Sequence, residues 1–494
     1  MQRSQAATEY LMTYGWAFLI IAIVAAILIS LGVFSPSSSS TVTGFTSFTS
    51  ASASVSKING LVLTLTNTNP NPILLTNISL SSSSGLKIGK VIVLAKLGTY
   101  SSSDPLILLY YNNSQITNLS ISPGQSFTII ISNVSAYSSY STQATITYFE
   151  NGIPQSSTGT ISGTPVSSSL VPYFATMYFA TITITNTQNV STPNPFQQMI
   201  NVSSSSPVWS YINTNQNSAF GQNVEFVYPN GTVIPSWLES YSPTHAIWWI
   251  KIGSIPANSK LTIYMRVVNP STNLFNNKTT GEAPQLSPTY AEYDDGANVF
   301  LNYFPGYSLT GWTTSGTAGQ TSSAPAGSPF GTNAFYALNS LGSYLYTVAN
   351  GQSENMIIEY YTYMNRLNDI FFLVNSSGAG QLARVGDGGG WYGIASTASW
   401  TSWNAPPDTG IWNDIWVLVG VVVHDGVAQM FLSTTLGNYG SELGQNPSNT
   451  YTVTNNGNYF GLVGDQQGNS YEYWNGIIIR AYPPNGVMPS VSIE

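Results

Sequence analysis

Short apolar alternations, each closed by a turn signal, run through most of this 494-residue chain. Leu61-Val62-Leu63-Thr64-Leu65-Thr66 follows Asn59-Gly60 and places Leu at every second position. Residues 127–131 follow Pro123-Gly124, and residues 144–149 are closed by Asn151-Gly152. Side chains on a strand alternate between faces, so period-two patterning bounded by Gly, Pro and Asn predicts antiparallel strands with one buried face. Residues 57–162 therefore read as a β-sandwich. Beyond Ser162-Gly163-Thr164-Pro165 the pattern resumes at 181–186, 224–228, 246–251 and 261–265, predicting a second β domain over 168–292. Residues 293–494 are rich in Gly and Trp. His424-Asp425-Gly426 between two apolar runs reads as a hairpin turn, and residues 473–482 read as a closing core strand.

Residues 16–34, WAFLIIAIVAAILISLGVF, break this pattern with nineteen positions that carry no charge. As a helix rising about 1.5 Å per residue they span roughly 28 Å, close to the ~30 Å hydrocarbon core of a bilayer. Residues 1–34 are thus expected to hold one transmembrane α-helix. Arg3, the basic residue beside it, puts the N-terminus in the cytoplasm and everything after Phe34 outside. Ser35-Pro36-Ser37 is also placed to serve as an ordinary signal-peptide cut. Glu9, at the head of the run, is costly there unless paired. Residues 35–56, mostly Ser and Thr, read as a flexible stalk. The expected fold class is an all-β ectodomain, two β-sandwich domains and a jelly roll, on a single N-terminal transmembrane α-helix.

Arg3-Ser4-Gln5-Ala6-Ala7-Thr8-Glu9-Tyr10-Leu11 with the apolar run after it resembles the class III signal peptide of archaeal type IV pilins and archaellins. That resemblance implies cleavage by a prepilin peptidase between Ser4 and Gln5. Glu9 would then pair with the N-terminal amine of a neighbouring subunit during assembly. Ser4 departs from the family, which usually has Gly there. Residues 228–240, with Ile255-Pro256-Ala257-Asn258-Ser259, resemble the family called domain of unknown function 2341, over roughly 168–292. The layout of 293–494 is similar to concanavalin A-like (laminin G-like) jelly rolls, which implies glycan or protein binding and often bound calcium.

Composition sharpens the location. Charged residues make up 6% of the chain, against about 25% in a typical soluble protein, so hydroxyls, amides and attached glycans must keep the surface wet. Nine Asn-x-Ser/Thr sequons, at Asn77, Asn112, Asn118, Asn133, Asn189, Asn201, Asn230, Asn277 and Asn375, are glycosylation acceptors in an exported chain. Cys is absent, which removes thiol catalysis and Cys-based metal sites. Net charge is −8, with fifteen acidic and three basic residues from Glu282 onward, and no basic stripe invites nucleic acid.

Candidate chemistry is sparse. The two histidines, His245 and His424, are explained as turn residues rather than as parts of a catalytic triad. The Glu-x-Asp-x-x-Glu pattern of jelly-roll glycosidases is matched at Glu292-Tyr293-Asp294 but lacks its last carboxylate, so no catalytic residue is assigned. Asp294, Asp295 and Asp387, in Gly-rich turns, are candidate calcium ligands, with Asp408, Asp414 and Asp465 in the same acidic region. Trp391, Trp400 and Trp403, set among Gly, Ser, Thr and Asn, are candidate sugar-stacking aromatics. Trp237, Trp248 and Trp249 carry the same potential. The expected activity is a pilin-like surface protein, a minor pilin or adhesin displaying a glycan-binding-type domain. Its expected partners are the membrane, prepilin peptidase, other pilin subunits and an extracellular glycan. A tethered polysaccharide-binding module that never assembles is the alternative, followed by a carbohydrate-active enzyme.

Overall fold

The computed structural model describes residues 40–494 except 58–59, 82–84, 89–91, 99–106, 112–113, 116, 133, 168–177, 216–218, 339–341, 365–367, 386–391, 398–413, 454–456 and 465–469. The expected membrane helix, with Ser4, Gln5 and Glu9, lies outside the described residues. So do Trp391, Trp400, Trp403, Asp387, Asn112 and Asn133. Among the described residues no helix is long and apolar enough to cross a membrane. Nearly all regular structure among the described residues is β.

The chain divides into two compact units, 1–175 and 176–494. The first is a sandwich of a five-stranded and a six-stranded sheet, joined at one side by a short two-stranded pair. Its spine is the hairpin Tyr140–Glu150 and Ile153–Gly163. Asn151 (φ 50°) and Gly152 (φ 76°) form the hairpin's two-residue turn, the left-handed pair that suits right-twisted strands. Leu61, Leu63 and Leu65 point into the core, as their spacing predicts. The stretch expected to be a stalk is structured from Thr41 onward. Thr41–Thr43 pairs with the hairpin, and Phe48–Val55 pairs with Leu61–Asn67. Phe48 is buried edge-on against Phe127 and Tyr148, with ring centroids 5.6 and 5.4 Å apart. Ser and Thr there occupy the wet face, while Phe48, Ala53 and Val55 occupy the dry one.

Residues 176–494 form a stack of four sheets with three cores between them. The first sheet has five strands and includes Tyr178–Asn186 and Ser259–Val267. The second has four, Phe196–Ser203, His245–Ile252, Ser236–Tyr241 and Thr280–Glu282. The third has eight, centred on Tyr471–Ala481, Met356–Met364 and Ile415–His424. The fourth has six, including Tyr344–Val348, Tyr459–Gly464 and Asn368–Val374. The last two sheets face each other across a common core as a second sandwich, the one expected to be a jelly roll.

The second sheet is covered on both faces, so its strands read as continuous apolar runs. Trp248 and Leu238 face the core shared with the first sheet. Trp237 and Trp249 face the core shared with the third, where they meet Tyr361, Trp416 and Ile478. All three tryptophans are therefore core residues and not a sugar platform. The boundary expected at 292/293 also does not separate the strands. Ser490–Ile493 returns to pair with Ile182 to Thr185 in the first sheet. Gln197 accepts from the Ala481 amide at 2.9 Å and donates to the Val299 carbonyl at 3.2 Å, tying the two sandwiches together.

Candidate functional site

Asp294 and Asp295 lie at the joint between the sandwiches, and each is committed inward. Asp294 accepts hydrogen bonds from Trp237 Nε1 (3.1 Å) and the Gly296 amide (3.2 Å) at Oδ1. At Oδ2 it accepts from the hydroxyls of Tyr303 and Tyr307, both at 3.0 Å. Burial pushes its carboxyl up to about 6 in spite of these donors. Asp295 is buried against Gly281, where a Cβ would collide with its carboxyl, and neither of its oxygens meets a neighbouring donor. Burial, then the charge of Asp294, raises it well above the usual carboxylate range. Among the described residues no three His, Asp or Glu side chains are gathered as a cation would require.

Further acids line the same joint. Glu239 accepts from Trp249 Nε1 at 2.7 Å and from the Tyr439 amide at 2.8 Å, and burial pushes it up to about 8. Glu282 is pushed up to about 7, chiefly by burial. Glu359 pairs with Arg480 (Nε to Oε2, 2.5 Å), whose guanidinium lies 5.2 Å over the Trp249 ring. Glu442 packs beside them, raised by burial and then by the charge of Glu359. Gly420 makes room for Glu442, since a Cβ there would strike its carboxyl. Six of the twelve described acids from Glu282 onward are thus interior: Glu282, Asp295, Glu359, Asp369, Glu442 and Glu472 are all buried.

This network makes a first prediction. Asp294→Ala leaves an indole, two phenols and an amide without their acceptor, and is expected to cost about 4 kcal/mol or more, at roughly 1–3 kcal/mol for each buried group left unsatisfied. Asp294→Asn retains one acceptor oxygen and should cost about half as much. Urea midpoints of the two variants check the order.

Neither histidine sits in a triad. His245 Nδ1 is 2.9 Å from Ser242 Oγ within its own turn. His424 Nδ1 is 2.7 Å from Asn355 Oδ1, and its ring stacks on Tyr482 with centroids 4.2 Å apart. Glu292 is exposed, while Asp294 is turned into its four donors, so these two acids do not face a common cleft.

The outer face of the fourth sheet carries a trough lined by tyrosines. Along Tyr344–Val348 the exposure alternates, with Leu345 and Thr347 inward and Tyr344 (36% exposed), Tyr346 (38%) and Val348 outward. Tyr459 lies beside Tyr346, with ring centroids 6.2 Å apart. Gly461, opposite Tyr346 on the next strand, is the floor, and a Cβ there would press on the Leu345 carbonyl and approach Tyr346 and Phe371. The result is a trough of about 580 Å³, bounded at one end by Asn375, Ser376, Ser377, Gly378 and Thr397. Among the described residues no charged side chain lines it.

A β-bulge shapes that end. The register of Asn368–Val374 slips between Phe371 and Val374, and Leu373 adopts φ 53°. This left-handed conformation is strained for a branched side chain. Gln352 holds the bulge, accepting from the Leu373 amide at 2.7 Å and donating to the Tyr459 carbonyl at 3.2 Å. A bulge re-aims the chain beyond it, here toward the trough.

None of the trough tyrosines was among the sequence candidates. The signal was present in Tyr344-Leu345-Tyr346-Thr347-Val348, an alternating strand whose wet face carries aromatics. Of the described sequons, Asn118, Asn189, Asn201, Asn230 and Asn277 are exposed, and Asn77 and Asn375 are half-buried.

Residues 220–313 match the family model described as a domain of unknown function (DUF2341). The match begins later than the expected 168 and continues through Asp294, Tyr303 and Tyr307, so it encloses the hydrogen-bonded joint. A curated relative, uncharacterized protein 562 of Sulfolobus islandicus rod-shaped virus 1, is 30% identical over 357 residues, or 63% of this chain. The alignment spans 58% of the viral protein's own length. Among solved structures, a truncated AlyQ with CBM32 and alginate lyase domains aligns over 90% of this chain and 99% of its own, at 9% identity and a TM-score of 0.22. That likeness is too weak to bear on fold or function.

Proposed function

We propose that this chain is a surface-displayed glycan-binding protein whose recognition surface is the tyrosine trough of its jelly roll. One observation carries the reading: two outward tyrosines, more than a third exposed, stand with Tyr459 over a glycine floor on an uncharged sheet face, ending in amide and hydroxyl side chains. A saccharide offers the complement. Its C–H faces pack on aromatic rings and its hydroxyls bond to Asn, Ser and Thr. The absence of Lys and Arg among the described residues of the trough favours a neutral sugar over an anionic one, and its volume falls within the range of small-molecule sites.

Display follows from the N-terminal sequence. The apolar run at 16–34 serves as the anchor, and a cut after Ser4 would leave Glu9 to pair with a new amine at Gln5, as in a minor pilin or adhesin. The low charge and the sequons suit an extracellular surface.

The trough is tested by substitution. Tyr346→Ala removes one stacking face and is expected to weaken binding of a neutral oligosaccharide about tenfold, the equivalent of roughly 1.4 kcal/mol. Gly461→Val fills the floor and should abolish it. Titration calorimetry, with circular dichroism to show that both variants fold, measures this. Unchanged affinity in both would move the site elsewhere.

A further inference from the structure

Resting on the reading of the trough as a sugar site, we propose that Asn375 is N-glycosylated and that its own glycan lies in the trough, so that the modification decides whether an outside ligand can enter. Asn375-Ser376-Ser377 is a sequon placed at the end of the trough. Asn375 Oδ1 accepts from the Ser377 amide (2.9 Å), the Ser377 hydroxyl (2.7 Å) and the Ala379 amide (3.1 Å). The carbonyl side of the carboxamide is therefore committed to the turn. Nδ2, the atom that glycosylation uses, makes no hydrogen bond to the described residues.

The backbone places Asn375 beside the trough tyrosines. Val374 pairs directly with Tyr459, and neighbouring strands lie about 4.8 Å apart. Gly457 packs so closely on the Asn375 backbone that a Cβ would not fit. Asn375 is thus held one residue beyond the cross-strand neighbour of Tyr459, and lines the same cavity as Tyr459 and Tyr346. A chain growing from Nδ2 meets those rings with its first sugars. Of the sequons in the described residues, Asn375 is the one that lines the trough.

The modification itself is a group transfer from a lipid-linked oligosaccharide phosphate. A bond forms between Nδ2 and the anomeric carbon, the anomeric C–O bond breaks with its electron pair leaving on the lipid phosphate, and one Nδ2 proton passes to a base of the transferase. The consequence for binding is competition. A tethered sugar is present at high effective concentration, so a soluble oligosaccharide is excluded from a modified copy.

The test compares the full chain made in a glycosylating archaeal host with the same chain made in a bacterium that adds no glycan. Glycopeptide mass spectrometry is expected to find Asn375 occupied in the archaeal product. Tyr346 and Tyr459 should then react with a tyrosine-nitrating reagent about tenfold more slowly than in the bacterial product, the equivalent of roughly 1.4 kcal/mol of protection. Ser377→Ala, which destroys the sequon, should restore the fast rate in the archaeal host, and Ser377→Thr, which keeps it, should not. An unmodified Asn375, or an occupied one with tyrosines as reactive as in the bacterial product, overturns the proposal. A bacterial product that binds no saccharide overturns the reading of the trough itself, a failure told apart because it is seen without any glycan on Asn375.

Discussion

Raising the pH from 5 to 9 is expected to destabilise the unit 176–494 by on the order of 8 kcal/mol, at about 1.4 kcal/mol per proton and pH unit. The cause is the set of acids that folding encloses at the joint. Burial pushes Glu239 up to about 8, Glu282 to about 7 and Asp294 to about 6, and raises Asp295 and Glu442 well above their ordinary values. In the unfolded chain such groups titrate near 4. Between about pH 4 and each folded value the native state keeps a proton that the unfolded state has given up. The stabilisation is complete below about pH 4, drains as pH rises, and is gone once the folded value is passed. Urea midpoints should fall steadily from pH 5 to at least 8. Glu239→Gln, a neutral mimic of the protonated side chain, should make the slope shallower by about one proton. A midpoint that is flat or rising over this range would show that these carboxyls are ionised in the fold.

The second large effect is expected at Arg480. Arg480→Met should cost about 3–5 kcal/mol, because removing one partner of a buried pair leaves the other charge uncompensated. Glu359 would then stand without its cation beside Glu442, in a core that also holds Trp249 and Tyr361. The double variant Arg480→Met/Glu359→Gln should recover most of the loss, since a neutral pair of similar shape needs no counter-charge. Thermal midpoints of the two single variants and the double variant give the coupling. A double variant no better than Arg480→Met would mean that the guanidinium acts through its packing on the Trp249 ring instead.

Both predictions concern a layer that could not be read from the sequence as what it is. Leu61, Leu63 and Leu65 announce a strand because one face is dry and the other wet. The run Ala246-Ile247-Trp248-Trp249-Ile250 announces a strand but not its two partners. Adjacent tryptophans look like an exposed pair until it is known that a second sandwich covers the far face. The strand Ser490–Ile493 lies beyond the run read as the closing core strand, and its partner at Ile182 to Thr185 is some 300 residues away. Composition misled at 41–55. Ser and Thr dominate there, yet Phe48, Ala53 and Val55 suffice to dry one face.

The candidate site was less legible than the fold. Sequence reasoning sought sugar-stacking aromatics among the tryptophans of Gly-rich loops, and Trp391, Trp400 and Trp403 lie outside the described residues. The trough is made instead from sheet tyrosines whose exposure depends on Gly461 across the strand and on a bulge at Leu373. Both are tertiary facts with weak local marks. Asp294 was singled out for its chemistry, but the donors that claim it come from Trp237, Tyr303 and Tyr307, residues with nothing in the sequence to link them.

The glycan reading meets its most direct test in calorimetric titration of the full chain, produced without glycans, against a panel of neutral oligosaccharides. The account predicts saturable binding to at least one of them, weakened about tenfold by Tyr346→Ala and lost in Gly461→Val. Heats no larger than dilution across the panel, or saturation by an extended proline-rich peptide in place of any sugar, would contradict it.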